Sequence, residues 1–202
     1  MYDFLKNHPE KIAGPLLGHV EIVVITLLIS LAAASLFTVI GMKSDRIAAA
    51  LKHIFSVIYS IPSLALFALL IPVTGLGKVT AITVLTLYNQ YLLLGNFLPG
   101  LREADPQACE VAKGIGMTDM QVLTMVRLPL AKKAIVAGIR LAVVSTIGIG
   151  TIAAAINAGG LGILLLDGLR TIHTAKILWG SLLSAAMAIL INTLLKKLED
   201  LL

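Results

Sequence analysis

The residues best suited to act on a partner lie in one polar stretch, Glu110–Pro129, EVAKGIGMTDMQVLTMVRLP, set between long apolar runs. Its pattern is Glu-x-Ala-x-x-x-Gly over Glu110, Ala112 and Gly116, then nine residues, then Val-x-Leu-Pro ending at Pro129. The chemistry on offer is recognition. Glu110 accepts hydrogen bonds and Arg127 is a charged handle. Met117, Met120, Val122, Leu123, Met125 and Val126 give an apolar surface whose methionines adapt to a groove. A second set lies within the apolar runs. Asn89 and Gln90 either line a polar path or bond neighbouring helices. Tyr59, Tyr88 and Tyr91 present aromatic faces that attract a cation by cation–π interaction, or simply pack. Ser60, Pro62 and Ser63 are a candidate broken-helix gate, because proline frees a carbonyl that a neighbour has to satisfy. Asn157, Gly159, Gly160 and Gly162 suit a second, flexible gate loop or a plain turn. No catalytic residues are indicated: the spans hold no Ser–His pair, and His8, His19, His53 and His173 have no metal-ligand spacing and read as interfacial. Cys109, the only cysteine, forms no intrachain disulfide and reads as a packing residue.

These groups have to be positioned by membrane helices. The chain has 202 residues, 58% of them hydrophobic and 13% charged, with a mean hydropathy of +0.96. Soluble domains hold about 45–50% apolar residues. The net charge of +5 reads as basic cytoplasmic loops, not as a nucleic-acid surface. Nothing at the start resembles a cleaved signal peptide; Asp3, Lys6, Glu10 and Lys11 crowd the first residues.

A bilayer core of about 30 Å takes roughly 20 apolar helical residues. Charge-free runs predict one all-α, polytopic domain over residues 1–202 with five transmembrane helices at about 21–42, 47–70, 79–100, 131–156 and 177–197. Pro72, Gly75 and Gly77 shorten the second, and Asn157 with its glycines shortens the fourth, leaving 157–176 as a loop with a short re-entrant or interfacial helix. With the C-terminus inside, the inner segments carry Lys43, Arg46, Lys52, Arg102, Lys113, Arg127, Lys132, Lys133, Arg140, Lys196 and Lys197, against Lys6, Lys11, Lys78, Arg170 and Lys176 outside. That bias sets the N-terminus outside and the Glu110 stretch in the cytoplasm. Glu21 is then a boundary charge at the outer end of the first helix.

Between helices 3 and 4, the loop 105–129 predicts its own structure. Asp105-Pro106 is an N-cap with proline in the first turn. Gly114 or Gly116 ends that helix, with Ala108 and Ala112 small enough for close approach. Thr118 with Gln121 starts a second helix through a capping box, and Pro129 closes the unit.

The Glu110–Pro129 pattern resembles the EAA signature of bacterial ABC-importer permeases. Tyr59-Ser-Ile-Pro-Ser-Leu-Ala-Leu-Phe67, Leu70-Ile-Pro and Gly75-Leu-Gly77 look like the second helix of the glycine betaine, carnitine and choline (osmoprotectant) permeases. Ala155-Ile-Asn-Ala-Gly-Gly-Leu-Gly162 with Asp167-Gly-Leu169 is similar to their outer loop. Tyr88-Asn-Gln-Tyr91, Ala131-Lys-Lys133 and the bulkier Val111 depart from the pattern. The resemblance implies a permease subunit in a bacterial cell membrane whose cytoplasmic coupling helix pair engages separate ATPase subunits, through Glu110, Ala112, Gly116, Met117, Arg127 and Pro129. It implies a second permease copy or sister permease and an extracytoplasmic substrate-binding protein. ATP and Mg belong to the partner ATPase, since this chain has no G-x-x-x-x-G-K-[ST] loop; no cofactor or nucleic acid is expected on the chain itself. The alternatives are a methionine or other small-solute permease and, in a different class, a secondary transporter.

Overall fold

The computed structural model describes residues 9–202. Asp3, Lys6 and His8 lie outside the described residues, as does most of the N-terminal segment read above for a signal peptide. Among the described residues all regular structure is helical.

Helix α1 spans Glu10–Gly41. It begins well before the expected boundary near residue 21, because Glu10 and Lys11 limit an apolar span without limiting a helix. Helix α2, Asp45–Ser60, is capped by Ser44, whose Oγ accepts from the Arg46 amide at 3.3 Å. The continuous helix expected over 47–70 is broken. Ile61, ahead of Pro62, is extended (φ −73°, ψ 131°), the conformation proline imposes on its predecessor. Helix α3, Ser63–Thr74, leaves at 100° to α2. It continues through Pro72 and ends at Gly75, whose φ is +78°.

Helix α4, Lys78–Arg102, is the spine, packing on α1, α2, α3 and the later helix over Lys132–Ile152. The loop follows: α5, Pro106–Gly114, then a continuous helical run, α6, made of Asp119–Gln121, a widened π segment Val122–Arg127, and Leu128–Leu130. Helix α7, Lys132–Ile152, tightens into a 3₁₀ turn, Ala153–Ile156, and stops at Asn157 in the left-handed conformation (φ 64°). Helix α8 is Gly162–Arg170 and α9 is Thr174–Leu201.

Among the described residues, three helices are long and apolar enough to cross a membrane: α1, α7 with its 3₁₀ turn, and α9. The bent α2–α3 pair makes up to four. Helix α4, 25 residues, is about 37 Å long at 1.5 Å per residue, but Asn89, Gln90 and Asn96 lower its hydropathy. It is instead the most enclosed of the long helices, with Leu85, Leu93, Leu94 and Leu98 fully buried. Small residues bring α4 and α7 together: a Cβ on Gly100 would stand 2.4 Å from that of Ala134, and one on Gly138 2.9 Å from that of Asn96. Close backbone approach of this kind is how helices bind one another in lipid. Helix α9 is the opposite case. Gly180 is its one buried residue; one face, with Met187, Ile191 and Leu195, packs on α7, and the other is exposed.

Candidate functional site

The loop folds around a small core of its own. Asp105 caps α5, its Oδ1 accepting from the Gln107 amide at 2.9 Å. The chain turns at Gly116 (φ +91°), with the Met117 amide donating to the Ala112 carbonyl at 3.1 Å. The Thr118–Gln121 capping box is complete: Gln121 Oε1 accepts from the Thr118 amide at 2.8 Å and Thr118 Oγ1 from the Gln121 amide at 3.3 Å. Cys109, Ala112 and Val122 are buried together, with Met117 and Val126 partly buried against them. Lys113 Nζ bridges the two arms to Asp119 at 2.8 Å. That hydrogen bond and charge hold the Asp119 carboxyl below the usual aspartate value. The packing role of Cys109 is therefore explicit.

Several expected docking residues have inward duties. Ala112 and Val122 belong to the loop's core, and Ala112's small size serves the closeness of the two arms. Arg127 is a tether: its guanidinium donates to the Leu101 carbonyl at 3.1 Å, satisfying an acceptor in the last turn of α4. Pro129 does not close the unit, since helix continues to Leu130; the widened π turn before it accommodates a ring that would otherwise press on the carbonyl four residues back. What faces outward is Val111, Ile115, Met120, Met125, Leu128 and Leu130, each at least 45% exposed. Glu110 lies among them, exposed, with no hydrogen bond or ion pair to any described residue. A cleft of about 590 Å³ separates this loop from the α1–α2 turn, lined by Lys43, Arg102, Lys113 and Arg127 and by Asp45 and Asp119. Arg102 closes its back wall, pairing with Asp45 at 2.8 Å and donating to the Gly41 carbonyl at 3.2 Å.

The polar residues of the spans separate into two groups. Asn89 and Gln90 are 1% exposed. Asn89 Nδ2 donates to Ser30 Oγ at 3.1 Å and to Thr146 Oγ1 at 2.9 Å, and Gln90 Nε2 donates to the Ser30 carbonyl at 3.2 Å. Both make interhelical bonds that fasten α1, α4 and α7 together, and Gln90 Oε1 is left buried without a partner among the described residues. Tyr88 is also buried (3% exposed), and its hydroxyl donates to the Ile61 carbonyl at 2.5 Å. This places a donor beside the break at Pro62, where helical pairing fails. Tyr59 and Tyr91 stack at 4.7 Å, and Tyr59 meets Tyr88 edge-on at 5.4 Å. Tyr91 is 37% exposed, and Ser60 and Pro62 are exposed beside the break. The structure thus brings Tyr59, Ser60, Pro62, Ser63 and Tyr91 to one bend and withdraws Tyr88, Asn89 and Gln90 into the packing.

The second gate loop is more tightly held than flexible glycines suggest. Gly159 and Gly160 have φ of +92° and +77°, but Gly162 is the first residue of α8. A Cβ there would lie 1.8 Å from the Thr151 carbonyl oxygen. His19, expected at an interface, is fully buried against this loop; His53 and His173 are exposed. Glu21 pairs with Lys78 at 2.6 Å. A signal for His19 does exist in the sequence. Thr26, Ser30, Ala34 and Thr38 recur every four residues along α1 and are all buried, and His19 lies one heptad before Thr26 on that face.

Residues 27–202 match the family described as "Binding-protein-dependent transport system inner membrane component". The carnitine transport permease protein OpuCD of Listeria monocytogenes is 39% identical over 158 residues, 78% of this chain and 71% of the relative. The choline transport system permease protein OpuBB of Bacillus subtilis is 33% identical over 196 residues, 97% of this chain and 90% of the relative. The glycine betaine/carnitine/choline permease protein OpuCB of the same organism is 31% identical over 98% of this chain and 92% of the relative. In fold, the chain is similar to the MetNI methionine ABC transporter in an inward-facing conformation, with a TM-score of 0.85 at 18% identity over 94% of each chain. The resemblance read from the Glu110–Pro129 and Tyr59–Phe67 motifs is met by these relatives, and the chain belongs to the family of binding-protein-dependent transport system inner membrane components.

Proposed function

We propose that this chain is the membrane-spanning permease subunit of an ATP-driven importer for quaternary-ammonium osmolytes such as glycine betaine, carnitine or choline, resident in the bacterial cell membrane. Five spans, with α4 as the third, put the N-terminus outside and the loop 105–129 in the cytoplasm, as the lysine and arginine distribution favours. ATP and Mg bind a separate ATPase subunit, and an extracytoplasmic binding protein delivers substrate. A second copy or a sister permease completes the path, for which α9 and the exposed side of α3 leave ample unpartnered surface.

The observation that carries this reading is the folded loop in a chain of this family. Its own core pre-forms it, and its exposed residues are a compact apolar set around the unpaired Glu110. A prefolded docking element saves the ordering entropy that a disordered one loses on binding. The substrate class is supported by the relatives' names and by the stacked Tyr59–Tyr91 pair at the Pro62 bend, where an exposed aromatic face attracts a quaternary ammonium. The test has two arms. Glu110→Ala with Met120→Ala weakens co-purification of the ATPase while the permease stays folded; full retention in that double variant removes the docking assignment. Radiolabelled choline uptake in vesicles is competed by glycine betaine and carnitine and not by methionine; competition by methionine alone would move the chain to the other substrate class.

A further inference from the structure

His19 is 0% exposed and touches two distant parts of the chain. Its Nε2 lies 3.2 Å from the Ile147 carbonyl oxygen, and its Nδ1 lies 3.3 Å from the Leu161 amide nitrogen, which donates. A carbonyl can only accept and an amide can only donate, so this pair assigns the neutral tautomer with its proton on Nε2. The ring is seated between two glycines. A Cβ on Gly160 would stand 2.7 Å from Nδ1, and one on Gly150 would stand 3.2 Å from Cε1. One residue earlier, a Cβ on Gly18 would be 3.7 Å from the Gly160 nitrogen. Helix α1 therefore lies directly on the backbone of the loop that joins α7 to α8. Underneath, Ala158 is 1% exposed within the apolar cluster of Ile22, Leu85 and Tyr88.

The two bonds differ in kind. Ile147 is within α7, already joined to α4 through Thr146 and Asn89. Leu161 is outside any regular helix, at the start of α8. The Nε2 bond fastens the ring to the helical body; the Nδ1 bond fastens the loop to the ring. We propose that His19 is the positioning residue that latches the loop Asn157–Gly162 closed, and that the Nδ1–Leu161 contact opens whenever the path opens on that side. This rests on the reading of that loop as the outer gate.

The chemistry supplies a selective test. Asparagine at position 19 places an acceptor near Nδ1 and loses the Ile147 contact. Glutamine reaches the Nε2 position and leaves the Leu161 amide unmet. Phenylalanine keeps the ring shape and makes neither bond. The probe is Ala158→Cys in a Cys109→Ala background, in the transporter assembled with its ATPase and binding protein in proteoliposomes. It is labelled by a membrane-impermeant maleimide from the binding-protein side, at rest and after vanadate trapping with ATP. The parent labels slowly at rest and faster when trapped. His19→Phe and His19→Gln raise the resting rate about tenfold, the loss expected for one buried hydrogen bond. His19→Asn stays near the parent. Gly160→Ala, which drives the ring from the other side, repeats the rise and keeps the test open if His19→Phe does not assemble. A merely structural histidine would lower the melting temperature in every variant and make asparagine and glutamine alike; that result overturns the latch. A parent that labels equally in both states overturns the gate reading itself. A state-dependent parent with unmoved variants overturns the latch alone.

Discussion

Two glycines, Gly114 and Gly116, stand at the elbow of the loop 105–129, and replacing each by alanine has opposite consequences. A Cβ at either position meets no atom within 4 Å, so neither change creates a clash inside the chain. Only the backbone distinguishes them. Gly114 is the last residue of α5, where alanine is the better helix former by up to about 1 kcal/mol. Gly116 has φ +91°, a conformation that costs an L-residue about 1–2 kcal/mol. The loop's core is only Cys109, Ala112 and Val122 with two partly buried neighbours, so a penalty of that size is a large part of what keeps the elbow closed. If the ATPase binds only the closed elbow, the affinity falls by the fraction lost. Gly116→Ala is then expected to weaken ATPase association by up to roughly 5- to 30-fold, and Gly114→Ala to leave it unchanged or slightly stronger. The assay has two parts: exchange protection of the Met117 amide, which is bonded to the Ala112 carbonyl, in the permease alone, and affinity for the ATPase by titration. The two have to move together. Weaker binding with unchanged protection would mean that the methyl obstructs the partner directly, and equal effects of the two substitutions would refute the backbone argument altogether.

The remaining predictions concern the polar staples. Tyr88→Phe leaves the Ile61 carbonyl without its donor and costs about 1–3 kcal/mol, read as a lower melting temperature that Tyr59→Phe does not share. Asn89→Leu and Thr146→Val each lose their mutual bonds; a double-mutant cycle gives a coupling of about 0.6–1.7 kcal/mol, while the ratio of choline to carnitine KM stays constant, because both side chains are only 1% exposed. A changed ratio would return Asn89 to the path. The Asp119 carboxyl is held below its usual value by Lys113. A depressed acid adds stability above the ordinary aspartate range and loses it as pH falls through the folded value. Protection of the Gln121 amide is therefore expected to fade on acidification below pH ~4 and to do so less at high salt, since the pair is exposed; Asp119→Asn removes that acid limb.

Local features of this fold were legible because their causes are local. The Asp105 and Thr118 caps, the elbow at Gly116 and the stop at Asn157 each depend on a few consecutive residues, and each lies where the residue types place it. The break at Pro62 was visible as a candidate gate, but its 100° angle was not, because the direction of α3 is set by packing on α4. Burial of polar groups was illegible for a related reason. Asn89 finds Ser30 and Thr146 at sequence separations of 59 and 57, and His19 finds Ile147 and Leu161 at 128 and 142. No window along the chain spans such pairs, so an amide that crosses to another helix reads the same as one that lines a path. Arg127 shows the same limit at short range: a cation beside a docking motif reads as a handle, and only the position of the last turn of α4 turns it into a tether.

The distribution of these staples says which parts move as one. Helices α1, α4 and α7 are joined at mid-depth by Asn89, Gln90, Ser30 and Thr146, and α1 meets α7 again through His19 and Ile147. Unsatisfied polar groups are costly where water is excluded, so these three helices resist sliding past one another and form a rigid body. The loop 105–129 is bonded to that body at Leu101 by Arg127, and the Pro62 bend is bonded to it at Tyr88. From Tyr88 to Leu101 is about 20 Å of unbroken helix at 1.5 Å per residue. A displacement imposed on the loop therefore reaches the bend with no flexible element between them. The polar contacts left to change lie at the periphery: the Tyr88–Ile61 bond to the bend, the His19–Leu161 bond to the far loop, and the Arg140 bonds to Asn192 and Glu199 that join α9 to α7. A transport cycle driven, as we propose, through Glu110 and its neighbours is expected to show itself at those joints.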